Sequence, residues 1–340
     1  MSDGIKAFAA RAVTLALGLI LLGFVLYSAD LSQVGTYLSQ IGLGFFVMVV
    51  AYKLAFVLDS WAWLMTVRSL PMELVWGFRF WMVRMVGEAV NNATPLAGMG
   101  GEPVKAAILN RVYGIGYGDG FASIVLARTT FVIGLIPFLM IGFLLLLIEP
   151  GLEAGFKWAA GTGLVALSLG IVGFYLVQRC KLSSRTGAAF AKLISRPGVQ
   201  KLVEGVSEFE ERLVEFYRFA PGRFAATVAL SFVNWALGAL EVWIAFHLLD
   251  APVTFAEAWI IEAVVQLVRV GAFFIPLAIG TQEGAFAMVV GAITGSTSLG
   301  VAAAILRRCR EILVIGAGLL MGPLIFGKSA MTPVSKGPAP

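Results

Sequence analysis

The chain has 340 residues, of which 59% are hydrophobic and 13% are charged, with a formal net charge of +5 and a mean hydropathy of +0.90. A soluble domain averages about 45–50% apolar and about 25% charged residues, so this composition excludes a soluble globular protein and indicates an integral membrane protein. The two cysteines, Cys180 and Cys309, are far apart in sequence and predict neither a disulfide framework nor a zinc site.

Six apolar stretches are long enough to cross a bilayer, for which a helix needs roughly 20 mostly apolar residues. In chain order they are 8–28, 41–67, 119–148, 156–178, 223–249 and 299–326. The first follows Lys6 and Arg11 and lacks a clear small-residue cleavage site, so we interpret it as a retained span rather than a signal peptide. Two further stretches, 76–112 and 256–296, are apolar but are interrupted by charges, a Pro and Gly residues.

The distribution of basic residues predicts the orientation in the membrane. The segment 178–224 is rich in Lys and Arg, whereas the loops on the opposite side carry mostly Asp and Glu. We therefore expect a multi-pass protein of the cell inner (cytoplasmic) membrane with both termini in the cytoplasm. Apolar residues at helical spacing predict an amphipathic cytoplasmic helix over 197–219, within a linker at 179–222. The tail at 327–340 is predicted to be disordered.

Polar motifs recur along the chain at an offset of 181 or 182 residues, and this recurrence indicates an internal duplication. Repeat one covers about 41–148 and repeat two about 223–326, both within a single transmembrane domain expected at 1–326. The recurring pairs are Asp59 with Glu241, Pro95 with Pro276, Glu102 with Glu283, and Arg128 with Arg310.

Each interrupted stretch must return to the membrane face from which it entered, one from the cytoplasm and the other from outside. A helix from Pro103 to about Gly114 would be roughly 18 Å long, which is shorter than the roughly 30 Å hydrocarbon core. We therefore expect hairpin tips near the midplane at Ala93–Gly101 and Ile275–Thr281. The pattern predicts an all-α polytopic membrane protein with inverted repeats, each containing a re-entrant helical hairpin.

The hairpin tips are the first candidate site. In each tip a Pro ends one half-helix, and Gly lets the backbone turn. The next half-helix directs free N–H groups towards the membrane interior, which favours an anionic ligand. Glu102 and Glu283 would either neutralise this dipole or bind protons and couple them to substrate movement. The tip residues are Asn91, Pro95, Gly100, Gly101, Glu102, Pro103 and Lys105 in the first hairpin, and Pro276, Gly280, Thr281 and Glu283 in the second.

Charged residues within the apolar spans are the second candidate site, because such charges are costly and usually face the interior of the bundle. We predict that Arg128 and Arg310 bind an anionic headgroup. The carboxylates Asp59 and Glu241 would hold one or the other of these arginines in place.

Glu88 and Arg269 also occupy equivalent positions (269 − 88 = 181), but their charges are opposite. Near the pseudo-axis they would either pair with each other or contribute to the substrate site. This broken symmetry predicts unequal roles for the two halves.

The sequence contains no catalytic signature such as a Walker loop, GxSxG or HExxH. Its only histidine, His247, lies near the end of a span. We therefore predict no catalytic residue, no metal, no cofactor and no enzymatic activity.

Two motifs resemble those of a known family, the lysylphosphatidylglycerol synthase transmembrane-domain family. The first comprises Asn91, Pro95, Gly100, Gly101, Glu102, Pro103 and Lys105, and the second comprises Pro276, Gly280, Glu283 and Gly284. The resemblance covers residues 8–326 and implies a flippase-like lipid module. It also implies a stand-alone member without the cytosolic aminoacyltransferase domain, loosely similar to a hopanoid-biosynthesis-associated branch. Lys105 replaces the Arg that is usual in the first motif.

These features together predict a lipid transporter or flippase that moves an amphiphilic lipid, anionic or isoprenoid-type, across or within the inner membrane. The partners expected are this membrane lipid and lipid-biosynthesis enzymes, and no nucleic acid. One alternative is an intramembrane lipid-modifying enzyme. Another is a membrane scaffold of a lipid-synthesis complex, docked through the helix at 197–219.

Overall fold

A computed structural model of the chain describes residues 19–93, 100–150, 152–179, 211, 213–272 and 275–329. Several predictions lie outside these residues. They concern the start of the first span, Pro95 with most of the first hairpin tip, most of the amphipathic linker helix, and the tail after residue 329.

The described residues form helices and no strands. In chain order the helices are α1 (Leu19–Ser28), α2 (Leu31–Ser39), α3 (Phe45–Met65), α4 (Leu74–Ala93), α5 (Gly101–Tyr113), α6 (Tyr117–Ile148), α7 (Ala154–Arg179), α8 (Pro221–Leu248), α9 (Phe255–Gly271), α10 (Thr281–Thr294) and α11 (Thr297–Ser329). A short helical segment at 213–219 precedes α8.

Among the described residues, four helices are long and apolar enough to cross a membrane, namely those at Gly42–Met65, Tyr117–Ile148, Ala154–Val177 and Pro221–Leu248. Helices α1 and α2 meet at an angle of 87° and would add a fifth span if they count as one bent span. Helix α11 has 33 residues, roughly 50 Å at 1.5 Å per residue, and it carries four charges at 307–311. The prediction of an all-α polytopic membrane protein is confirmed.

Helices α3 to α6 and helices α8 to α11 show the same order: two helices are followed by a short helix and then by a long one. The short helices α5 and α10 have 13 and 14 residues, and the long helices α6 and α11 have 32 and 33. Both short helices end at a left-handed Gly, Gly114 (φ 73°) and Gly295 (φ 78°), which are again 181 residues apart (295 − 114). Thirteen residues span roughly 20 Å, less than the hydrocarbon core, so α5 is too short to cross alone. The inversion of the repeats and the depth of the hairpins stay predictions.

The two halves pack across each other. Helix α3 lies against α8, α4 against α11, and α6 against both α8 and α9. A close contact joins α4 and α11, where a Cβ added to Gly318 would lie 2.3 Å from the carbonyl oxygen of Met85. At the α6–α9 contact, the indole N–H of Trp259 donates a hydrogen bond to the carbonyl of Phe138 (3.0 Å). These contacts leave a space between the halves in which the charged residues collect.

Candidate functional site

A cavity of about 800 Å³ lies between the two halves. It is lined by α3, α4, α5 and α6 of the first half, and by α8, α9, the second hairpin tip and α11 of the second. The charged residues in its lining are Asp59, Arg84, Glu88, Glu102 and Arg128 from the first half and Glu241, Glu262, Arg269, Arg307, Arg308 and Glu311 from the second. Six of these are acids and five are arginines, so the lining has no numerical surplus of guanidinium groups. Any preference for an anion must therefore come from the way in which the charges are paired.

In the first half, Glu88 and Glu102 lie between Lys105 and Arg128. The ammonium of Lys105 is 2.8 Å from Glu88 and 3.2 Å from Glu102, and the guanidinium of Arg128 is 2.9 Å from Glu102 and 3.4 Å from Glu88. The two acids and two bases compensate each other. Arg128 is the most open of the four, with 44% of its side chain exposed.

The start of α5 is already occupied by protein groups. The side-chain oxygen of Asn91 accepts a hydrogen bond from the backbone N–H of Gly101 (2.6 Å), and its amide nitrogen donates to Glu102 (3.3 Å). Gly100 precedes the helix, and the exposed Pro103 lies in its first turn. A Cβ at position 101 would lie 1.9 Å from the carbonyl oxygen of Gly87, so only Gly allows α4 and α5 to approach this closely.

The second hairpin tip is tied to α11 by one arginine. The guanidinium of Arg308 donates to the carbonyl of Leu277 (3.1 Å) and to the carboxylate of Glu283 (2.6 Å). Glu283 in turn accepts from the backbone N–H of Gly280 (2.8 Å), and the hydroxyl of Thr281 donates to the carbonyl of Ala278 (2.9 Å). Glu283 therefore contacts the start of its own helix and also binds α11.

The backbone of this tip is strained. Pro276 begins a short 3₁₀ turn in which Leu277 (φ 57°) and Ala278 (φ 49°) both adopt left-handed conformations. For residues with a Cβ this conformation costs roughly 1–2 kcal/mol each. Both residues line the cavity, so the strain is located at the candidate site.

Arg310 does not line the cavity. Its side chain is 1% exposed, its Nε lies 3.0 Å from Glu241, and its guanidinium is 3.6 Å from the ring centroid of Tyr52. Asp59, the repeat equivalent of Glu241, contacts Arg84 rather than Arg128.

Of the two alternatives for Glu88 and Arg269, the direct ion pair is not the one that the structure forms. Glu88 contacts Lys105 and Arg128 instead, because the α4–α5 hairpin brings Lys105 next to it. Arg269 lines the cavity, and among the described residues no carboxylate lies within 4.0 Å of its guanidinium.

The cavity wall also contains a buried ion pair that the repeat did not predict. Glu262 on α9 forms a two-pronged ion pair with Arg307 on α11, with one contact at 2.9 Å, and it accepts a hydrogen bond from Gln266 (2.6 Å). Glu311 pairs with Arg308 (2.9 Å). A search for repeated residues could not find Glu262, because Trp81 occupies its equivalent position (262 − 81 = 181). The sequence does contain one signal for this site: Glu262 lies four residues before Gln266 in an otherwise apolar run, which places the two polar side chains on one face of a helix.

In the part of the chain that the structure describes, no group of three or more His, Cys, Asp or Glu side chains is placed to hold a metal ion.

The family model described as "Lysylphosphatidylglycerol synthase TM region" matches residues 11–318. The chain is 24% identical over 287 residues to a UPF0104 membrane protein of Methanothermobacter thermautotrophicus, covering 78% of this chain and 80% of that protein. It is 27% identical over 195 residues to a UPF0104 membrane protein of Pyrococcus horikoshii, covering 52% of this chain and 56% of that protein. No solved structure matches the chain.

Proposed function

Because this chain belongs to the lysylphosphatidylglycerol synthase TM region family, we propose that it transports an amphiphilic lipid through the cavity between its two halves. The main observation in support of this proposal is that the cavity of about 800 Å³ combines charged groups from both halves with apolar walls. We further propose that the protein acts in the cell inner membrane with both termini in the cytoplasm, as the basic residues predict.

The charged lining supports passage of a polar headgroup. Placing one charge at the centre of a bilayer costs roughly 2.5–3.5 kcal/mol on insertion scales, so a membrane chain places such charges in its interior or along a water-filled pathway. Eleven charged residues line this one cavity. A headgroup moving between the halves exchanges hydrogen bonds with these groups instead of losing them in hydrocarbon.

The apolar lining supports accommodation of the rest of the lipid. Aromatic side chains from both halves lie between the charged groups, among them Phe121, Phe131 and Trp235. Such a mixed surface suits an amphiphile better than it suits a small ion, for which rings of like polar groups are the usual lining.

The pairing of the charges favours transport over catalysis. Except for Arg269, each charged residue of the lining forms an ion pair with a described residue. An enzyme needs a nucleophile or base that is free to react, and paired carboxylates and guanidiniums are poor candidates. We therefore propose a transporter rather than a lipid-modifying enzyme.

The test is a liposome assay with fluorescently labelled phospholipid and a quencher that reaches only the outer leaflet. Ala55 lines the cavity from α3, so Ala55→Trp places a bulky ring in the proposed path. Val57 lies on the same helix, is 37% exposed and does not line the cavity, so Val57→Trp is the matched control. We expect Ala55→Trp to slow lipid movement at least about tenfold and Val57→Trp to leave it unchanged. Equal rates in both variants, or no movement with the wild-type protein, would refute the proposal.

A further inference from the structure

Arg269 differs from every other cation in the cavity lining. Arg84, Arg128, Arg307 and Arg308 each contact a carboxylate. For Arg269 the described residues provide neither a hydrogen bond nor an ion pair within 4.0 Å. Its guanidinium is thus the one described cation of the lining whose charge is not matched by a direct protein partner.

The acids that share the cavity wall with Arg269 are already paired with other cations. Among them, Glu311 lies on α11, and Glu262 lies on α9 together with Arg269. Glu311 is held by Arg308 at 2.9 Å, and Glu262 is held by Arg307 and Gln266. Neither acid can move to Arg269 without breaking a pair that the structure forms.

Arg269 is partly buried, and a guanidinium that loses hydration without gaining a partner is unfavourable. Arg269 lies at the end of α9 and faces a cavity large enough for a headgroup. A guanidinium presents parallel N–H donors that match two oxygens of a phosphate group. The arrangement therefore favours a ligand that brings its own negative charge.

In the described part of the first half, each cation that lines the cavity has a carboxylate partner. The repeat equivalent of Arg269 is Glu88, which lies between Lys105 and Arg128. The cluster of two acids and two bases around it is internally compensated. Among the described residues of the lining, only the second half therefore offers an anion a cation without a carboxylate partner, and the strained residues Leu277 and Ala278 line the same cavity.

We propose that Arg269 is the docking residue for the phosphate of a lipid headgroup. This rests on the proposed transport function, and it adds the residue on which the headgroup docks.

The test measures binding to the purified full-length protein in detergent by calorimetry. The probes are dihexanoyl phosphatidate, dihexanoylglycerol and inorganic phosphate, and the variants are Arg269→Gln and Arg269→Lys. The control is Arg79→Gln, because Arg79 lies over Trp76 (4.5 Å) and outside the cavity. We expect phosphatidate to bind equally well to the wild-type protein and to Arg79→Gln. Its binding to Arg269→Gln should be weaker by about tenfold or more, and Arg269→Lys should recover part of the lost affinity. Dihexanoylglycerol should bind poorly to all four proteins.

A thermal-unfolding measurement without ligand separates docking from a structural role. Removing a cation without a protein partner should leave the melting temperature unchanged or raise it, since no carboxylate is left unpaired. Equal phosphatidate affinity in the wild-type protein and Arg269→Gln would overturn the proposal, as would a clear loss of stability in Arg269→Gln. Inorganic phosphate binding as tightly as phosphatidate would show a site for free phosphate and reject the lipid class.

The liposome assay keeps this inference separate from the transport function. If the wild-type protein moves phosphatidylglycerol and Arg269→Gln moves it equally fast, the docking role fails and transport stands. If phosphatidate binding depends on Arg269 but the wild-type protein moves no lipid, the docking site stands and transport fails.

Discussion

Replacing Glu262 by Leu removes one half of the buried ion pair that links α9 to α11. The Glu262 and Arg307 side chains are 1% and 8% exposed, and they contact each other through two hydrogen bonds. Leu has a similar volume but leaves the guanidinium without its carboxylate. Breaking a buried pair from one side typically costs about 3–5 kcal/mol, because the remaining charge stays desolvated. We expect a loss of this size in the free energy of unfolding, measured in mixed micelles by titration with a denaturing detergent.

The double variant Glu262→Leu/Arg307→Met separates the ion pair from simple packing. Replacing both partners by apolar side chains is often close to neutral, so the double variant should recover most of the stability that either single variant loses. The reference is Arg68→Ala, which removes an exposed pair with Glu215 (46% and 58% exposed) and should cost less than about 1 kcal/mol. A loss in Glu262→Leu no larger than in Arg68→Ala would refute the reasoning. Additive losses in the double variant would refute it too.

Two further predictions concern the hairpins. Gly101→Ala should lower the free energy of unfolding by about 1–3 kcal/mol, because its Cβ would lie 1.9 Å from the carbonyl oxygen of Gly87. The control is Gly170→Ala on α7, where an added Cβ meets nothing within 4 Å, and it should be neutral or stabilising in the same titration. Equal effects of the two variants would contradict the close contact between α4 and α5. Leu277→Gly should raise stability by up to about 1 kcal/mol, because Gly adopts a positive φ without the left-handed cost; a clear loss of stability would show that the Leu side chain contributes more than the strain.

The membrane class, most helix positions and the starts of the two short helices could be predicted from the sequence because they depend on local properties. Runs of roughly 20 apolar residues specify spans wherever they occur. Gly114 and Gly295 end α5 and α10 because these positions need a positive φ. The repeat correctly marked Glu102 and Glu283 as residues at the start of the short helices.

The pairing of the charges was decided only by the tertiary structure. Arg307, Arg308 and Arg310 lie within one turn of α11, where successive residues are rotated by about 100°. They therefore contact acids on three different helices: Glu262 on α9, Glu283 on α10 and Glu241 on α8. Equivalence in the repeat could not predict this. A pair forms only where the rotation and spacing of two helices bring the charges within a few ångströms of each other.

The same reason explains the unequal halves. The sequence by itself determined that Glu88 and Arg269 are equivalent and opposite in charge. Helix packing decided that Glu88 lies between Lys105 and Arg128, whereas Glu262 and Glu311, which line the cavity with Arg269, are paired with Arg307 and Arg308. An ion pair requires both partners to be free as well as near, and which partners are free depends on every helix around the cavity.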